Sequence, residues 1–75
     1  MINIIIKNVY NEKFEIYISE NSSILELNQY ISYTLNIPKK SFRLLYNGYP
    51  INDDNTVIGY NIKDGSIIHI LRVIY

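Results

Sequence analysis

His69 is the only histidine in this sequence, and so the natural first candidate for moving a proton near neutral pH. Acid–base or nucleophilic catalysis would need a nucleophile and a third, orienting group beside it, and nearby serines such as Ser66 carry no motif that supplies them. Asp53 and Asp54 are adjacent carboxylates, half of a calcium-loop pattern. No glutamate stands at the spacing an EF-hand requires, and the flanking Asn52 and Asn55 make a solvated turn the simpler reading. Lys39 and Lys40, with Arg43 nearby, form the one basic cluster, read as a solvated loop after Pro38. The three glycines are dispersed, so no phosphate-cradling loop exists. The absence of cysteine removes thiol catalysis, disulfides, thiolate zinc sites and iron–sulfur clusters. No catalytic, cofactor-binding or metal-ligating residue is therefore expected, and no enzymatic activity.

Composition narrows the class further. Seventy-five residues hold at most one core, and a chain this small must draw its stability from side-chain burial. The 48% hydrophobic fraction, rich in isoleucine, supplies the material and favours strands. Acidic and basic residues balance to a net charge of zero, so no field of one sign exists to hold a nucleic-acid backbone or an anionic membrane. No apolar run approaches the roughly 20 residues that span a bilayer, and the N-terminus lacks a signal-peptide layout. A soluble intracellular protein, cytoplasmic or nuclear, is the expectation, without nucleic-acid or membrane partners.

The hydropathy pattern then sets out the elements. Ile2, Ile4 and Ile6 recur at period two within 2–7, with Ile5 interrupting the polar face between Asn3 and Lys7; Phe14, Ile16 and Ile18 alternate with Lys13, Glu15 and Tyr17. The short segment 8–12, with two asparagines, has hairpin-loop length, so the chain opens with a β-hairpin. At Ser23 the period changes: Ser23 and Glu26 have capping-box spacing, and Ile24, Leu27 and Ile31 mark the buried face of a helix of about three to four turns. Asn36 is placed to close it in the left-handed conformation, and Pro38 disfavours helical geometry at Ile37. Phe42, Leu44 and Tyr46 line one face of a strand, with Arg43 and Leu45 on the other. Asn47-Gly48 is a hairpin turn, after which Pro50 limits residues 49–51 to a brief edge strand. Thr56 can cap one turn through Val57, Ile58 and Gly59; Ile62 returns to the core, and Asp64-Gly65 turns into a last strand over 66–73. In that strand Ile68 and Ile70 point inward, while Ile67, His69 and Leu71 point outward. The order β-β-α-β-β-β, with the last strand laid beside the first, is an α+β β-grasp fold: a mixed sheet with one main helix across it.

At this point the chain resembles the ubiquitin family. The likeness runs without a gap over residues 1–75, read as a single ubiquitin-like domain. It is carried by Ile4, Lys7, Ile24, Ile31, Ile37-Pro38, Arg43-Leu44, Gly48, Asp53, Thr56, Tyr60-Asn61-Ile62, Ser66 and His69. The resemblance implies an exposed apolar patch on the sheet, at Val9, Leu45, Gly48, His69 and Leu71, that binding partners cover. The strand pattern had already turned Leu45, His69 and Leu71 outward, and several apolar groups together on a wet face suggest an interaction surface. Tyr49 stands where ubiquitin carries a chain-building lysine; an aromatic there either enlarges the apolar area and adds a hydroxyl at its rim, or simply covers a weak sheet edge. The implied partners are ubiquitin-binding-type protein domains or other ubiquitin-pathway components, bound by a monomer.

The departures bear on mechanism. Conjugated family members end in a flexible tail closing with Gly-Gly, whereas this sequence ends Arg72-Val73-Ile74-Tyr75. Of the lysines that ubiquitin uses for its own chains, only Lys7 has a counterpart; Tyr49 and Asp64 replace the two most familiar. The expected function is a non-covalent protein-binding module. The alternative is a conjugatable modifier whose Gly-Gly is missing from this chain. Incubated with a ubiquitin-activating enzyme and ATP, the chain as it stands should form no thioester, detected on a non-reducing gel. A thioester would favour the modifier, as would charging that appears once Gly-Gly is appended.

Overall fold

The period-two isoleucine pattern does form the hairpin it implies, and the sheet grows around it. The structure is a computed structural model and describes residues 1–73; Ile74 and Tyr75, on which the expectation about the chain end rests, lie outside the described residues. β1 (Ile2–Lys7) and β2 (Lys13–Ile18) pair antiparallel with Ile4 opposite Ile16. The connecting loop is tied by one side chain: Asn8 Oδ1 accepts from the amides of Tyr10 and Glu12, at 2.9 and 3.0 Å. Asn11 completes it at φ 63°, a left-handed conformation that asparagine tolerates.

Helix α1 (Ile24–Leu35) begins at the expected capping box. Ser23 Oγ accepts from the Glu26 amide at 3.0 Å, and Glu26 Oε1 accepts from the Ser23 amide at 3.2 Å. Asn36 ends the helix at φ 54°, its amide donating to the carbonyls of Ser32 and Tyr33. A 3-10 turn (Lys39–Ser41) leads into β3 (Phe42–Tyr46); Asn47 and Gly48, at φ 54° and 83°, turn it into β4 (Tyr49–Pro50). A second 3-10 turn (Ile58–Tyr60) has Thr56 Oγ1 accepting from the Gly59 amide at 3.0 Å, as the sequence implied. β5 (Ile67–Arg72) is one residue shorter at each end than expected. Ser66 and Val73 still bond to neighbours, Ser66 C=O accepting from Ile5 and Val73 N–H donating to Ser41, but lie outside the ladder.

The sheet order is β2-β1-β5-β3-β4. β5 runs parallel to β1, with Ile6 opposite Ile68, and antiparallel to β3, with Leu44 opposite Ile70. The expected β-grasp is thus present. Ile24, Leu27 and Ile31 of α1 cover Ile4, Ile6, Ile16, Phe42, Leu44, Ile68 and Ile70, and Val57 and Ile62 complete one cluster.

Two expectations are corrected here. Asp53 is not simply part of a solvated turn: it is half-buried and accepts from Nδ2 of Asn28, a polar residue only 9% exposed on the packed face of α1. Lys39 is not a free loop cation either, since its Nζ lies 3.0 Å from the same carboxylate. One side chain thereby joins the helix, the first 3-10 turn and the loop after β4. Because burial makes an unpartnered amide costly, Asp53→Ala should lower stability by about 1–3 kcal/mol. Lys39→Met, which removes only a part-exposed ion pair, should cost less than about 1 kcal/mol. Urea denaturation measures both; equal losses would show that the ion pair, not the buried amide, holds the loop.

Candidate protein-interaction surface

Strand alternation that sends Ile68 and Ile70 into the core must send Ile67, His69 and Leu71 to the opposite face of the sheet. The register then fixes their neighbours. One row crosses all five strands: Pro50 of β4 stands opposite Leu45 of β3, Leu45 opposite His69 of β5, His69 opposite Lys7 of β1, and Lys7 opposite Lys13 of β2. In the next row Arg43 faces Leu71. On the other side of His69, Ile67 faces Ile5, which in turn faces Glu15 of β2. Directly opposed residues on antiparallel strands have their Cβ atoms about 4.5–5.5 Å apart, so these residues are neighbours across the strands.

Leu45 is half-buried between Pro50 and His69, and Leu71 is 42% exposed diagonally across from it. The three residues that the alternation singled out are therefore contiguous. Gly48 lies in the β3–β4 turn, two residues before Pro50 of that row. Tyr49 is 75% exposed at the hairpin edge, but its register partner is Tyr46, on the helix side of β3, so its side chain leaves the strand on the face opposite the Leu45 row. Val9 is 67% exposed in the β1–β2 loop, two residues beyond Lys7. It lines a shallow cavity of about 340 Å³ with Leu35, Ile37, Ile70 and Arg72, rather than sitting in the strand rows.

Ile67, 44% exposed, and half-buried Ile5 form a second apolar pair on the same face. The sequence pattern turned Ile67 outward and marked Ile5 as an intruder among polar residues. Only the parallel β1–β5 register, which no local signal encodes, puts the two side by side. The charges on this face are also uneven. Lys7, Lys13 and Arg43 surround the apolar row, with Glu15 the one carboxylate among the outward residues of β1, β2, β3 and β5. A neutral chain thus carries a locally cationic rim.

Elsewhere the polar groups serve the fold. Ser66 Oγ accepts from the Lys63 amide at 2.8 Å, bracing a turn. Among the described residues no three His, Asp or Glu side chains cluster as metal ligands would, and no helix is long and apolar enough to cross a membrane.

The comparisons agree with the β-grasp fold. A model of the ubiquitin family matches residues 4–72. The chain is also 34% identical over 61 residues to the ubiquitin domain-containing protein DSK2 of Saccharomyces cerevisiae. That alignment covers 81% of this chain and 16% of the relative, so the chain spans under a fifth of that relative's length.

Proposed function

The chain belongs to the ubiquitin family, and we propose that residues 1–75 act as one non-covalent protein-binding module, without catalysis, through the outer face of the sheet. The observation that supports this most is the contiguity of Leu45, His69 and Leu71, three outward residues on adjacent strands with Ile67 continuing the apolar surface. Exposed apolar area of this kind gains free energy when a partner excludes water from it, by roughly 25 cal/mol per Å². Gly48 and Tyr49 form one edge of the proposed footprint and Val9 another. The cationic rim of Lys7, Arg43 and Lys13 fits a partner whose apolar stripe is flanked by carboxylates. Ubiquitin-binding helical domains, or other ubiquitin-pathway components, have this role to fill. The module works as a monomer in the cytoplasm or nucleus, and its likeness to a segment of a ubiquitin domain-containing protein supports the pathway assignment.

Leu45→Ala, which truncates the centre of the patch, should weaken binding about tenfold, or ~1.4 kcal/mol. NMR titration with a ubiquitin-binding helical domain checks this effect. Shifts centred on Leu45, His69 and Leu71 are expected. Shifts confined to the exposed helix face at Tyr30 and Tyr33, or to Lys39 and Lys40, would contradict the assignment.

A further inference from the structure

Two turns in this chain place a side chain with a carbonyl one carbon from the backbone directly before a glycine: Asn47-Gly48 and Asp64-Gly65. Such a pair can cyclise, because the glycine nitrogen, with no neighbouring Cβ to obstruct it, can attack the preceding side-chain carbonyl carbon. The structure treats the two pairs oppositely. At the second, Asp64 Oδ1 accepts from the Asn3 amide at 2.7 Å, and the Gly65 amide donates to the Asn3 carbonyl at 2.7 Å. Electrophile and nucleophile are both held by β1. At the first, neither the Asn47 side-chain amide nor the Gly48 N–H has a hydrogen-bond partner among the described residues.

The surroundings of Asn47 also favour reaction. Both turn residues are exposed, and a Cβ built on Gly48 would meet nothing within 4 Å. β4 is two residues long and lies at the sheet edge, so few bonds resist a rotation about ψ of Asn47 that brings the Gly48 nitrogen to Cγ. Of ten asparagines in the chain, Asn47 alone precedes glycine.

We infer that Asn47-Gly48 is a site of spontaneous modification, deamidating from the folded protein through a cyclic imide. The Gly48 nitrogen gives its proton to hydroxide and attacks Cγ of Asn47. The N–Cγ bond forms, the Cγ–Nδ2 bond breaks, and Nδ2 leaves as ammonia after taking a proton from water. Water then opens the imide at one of its two carbonyls. Opening at Cγ leaves aspartate; opening at the main-chain carbonyl leaves isoaspartate, with the chain running through Cβ and Cγ. No oxidant, reductant or cofactor enters. Isoaspartate adds one atom to the main chain inside a two-residue turn, and the pairing of Tyr46 with Tyr49 and Leu45 with Pro50 loses its register. If the patch proposed above is the binding surface, the product carries a displaced Gly48–Tyr49 edge and a new carboxylate there. The chemistry itself does not depend on that reading.

The test is incubation of the full chain in mildly alkaline buffer, folded and in urea, followed by peptide mapping for the amide-to-acid mass gain and for isoaspartate. The folded chain should convert first at Asn47, at a rate close to that in urea. Asp64 should isomerise in urea and be protected by folding. Asn47→Asp, which keeps the turn but has no amide to lose, should remove the early ammonia release, and the isoaspartyl product should show shifted NMR signals at Tyr46 and Tyr49. Folding that protects Asn47 as strongly as Asp64, or conversion of another asparagine first in the folded chain, would overturn the inference.

Discussion

The last strand in the sequence occupies the middle of the sheet, and every other feature depends on its seat there. β5 pairs parallel with β1 and antiparallel with β3, joining two hairpins that otherwise have no contact within the sheet. Its inward residues, Ile68 and Ile70, close the core against α1. Its outward residues, Ile67, His69 and Leu71, align with Ile5, Lys7, Leu45 and Arg43 on the far face. Core and outer surface are the two sides of one register. A slip of a single residue would exchange them, which places an isoleucine core under the same constraint as the surface proposed to bind.

The chain between β4 and β5 has little regular structure but is not loose. Its backbone is stitched to the first residue of α1 and to those just before it: the Ile24 amide donates to the Asn55 carbonyl, the Val57 amide to that of Ser22, and the Ile58 amide to that of Glu20. Tyr60 reaches back with its hydroxyl, which accepts from the Asn52 amide at 2.6 Å. Asp53 adds the side-chain link to Asn28 and Lys39. These bonds satisfy backbone groups that a loop of this length would otherwise leave to water, and they hold Val57 and Ile62 in the core. The N-terminus of the helix, and through it the covered face of the sheet, is fixed from both sides.

Much of this was legible because local chemistry and tertiary structure agree. The bounds of β1 and β2, the capping box at Ser23, and the inward set on β5 all follow from alternation or capping geometry. Among the described residues asparagine fills every non-glycine left-handed position: 11, 36, 47 and 61. The hairpin loop, the helix end and the Asn47 turn were visible from context, whereas Asn61 was hidden inside an apolar run. Asn28 could not be foreseen. Its place on the packed face of α1 breaks the apolar stripe, and its acceptor lies 25 residues away in sequence. The pairing of Ile5 with Ile67 was illegible for a similar reason, since parallel register has no turn to encode it. The outward Leu45, His69 and Leu71 needed only alternation, but their contiguity needed the antiparallel β3–β5 register.

The surface proposed above is a sheet face, apolar along Leu45, Leu71 and Ile67 and edged by cations. Its precision is inherited from the central strand. Native-state hydrogen exchange followed by NMR tests that dependence most directly. If β5 is the element on which core and surface both rest, its ladder amides should exchange only through global unfolding, with the same free energy of opening as those of β1. Opening of β5 at distinctly lower free energy, while β1, β2 and α1 stay protected, would show that the fold stands without its central strand and that the outer face is not rigidly held.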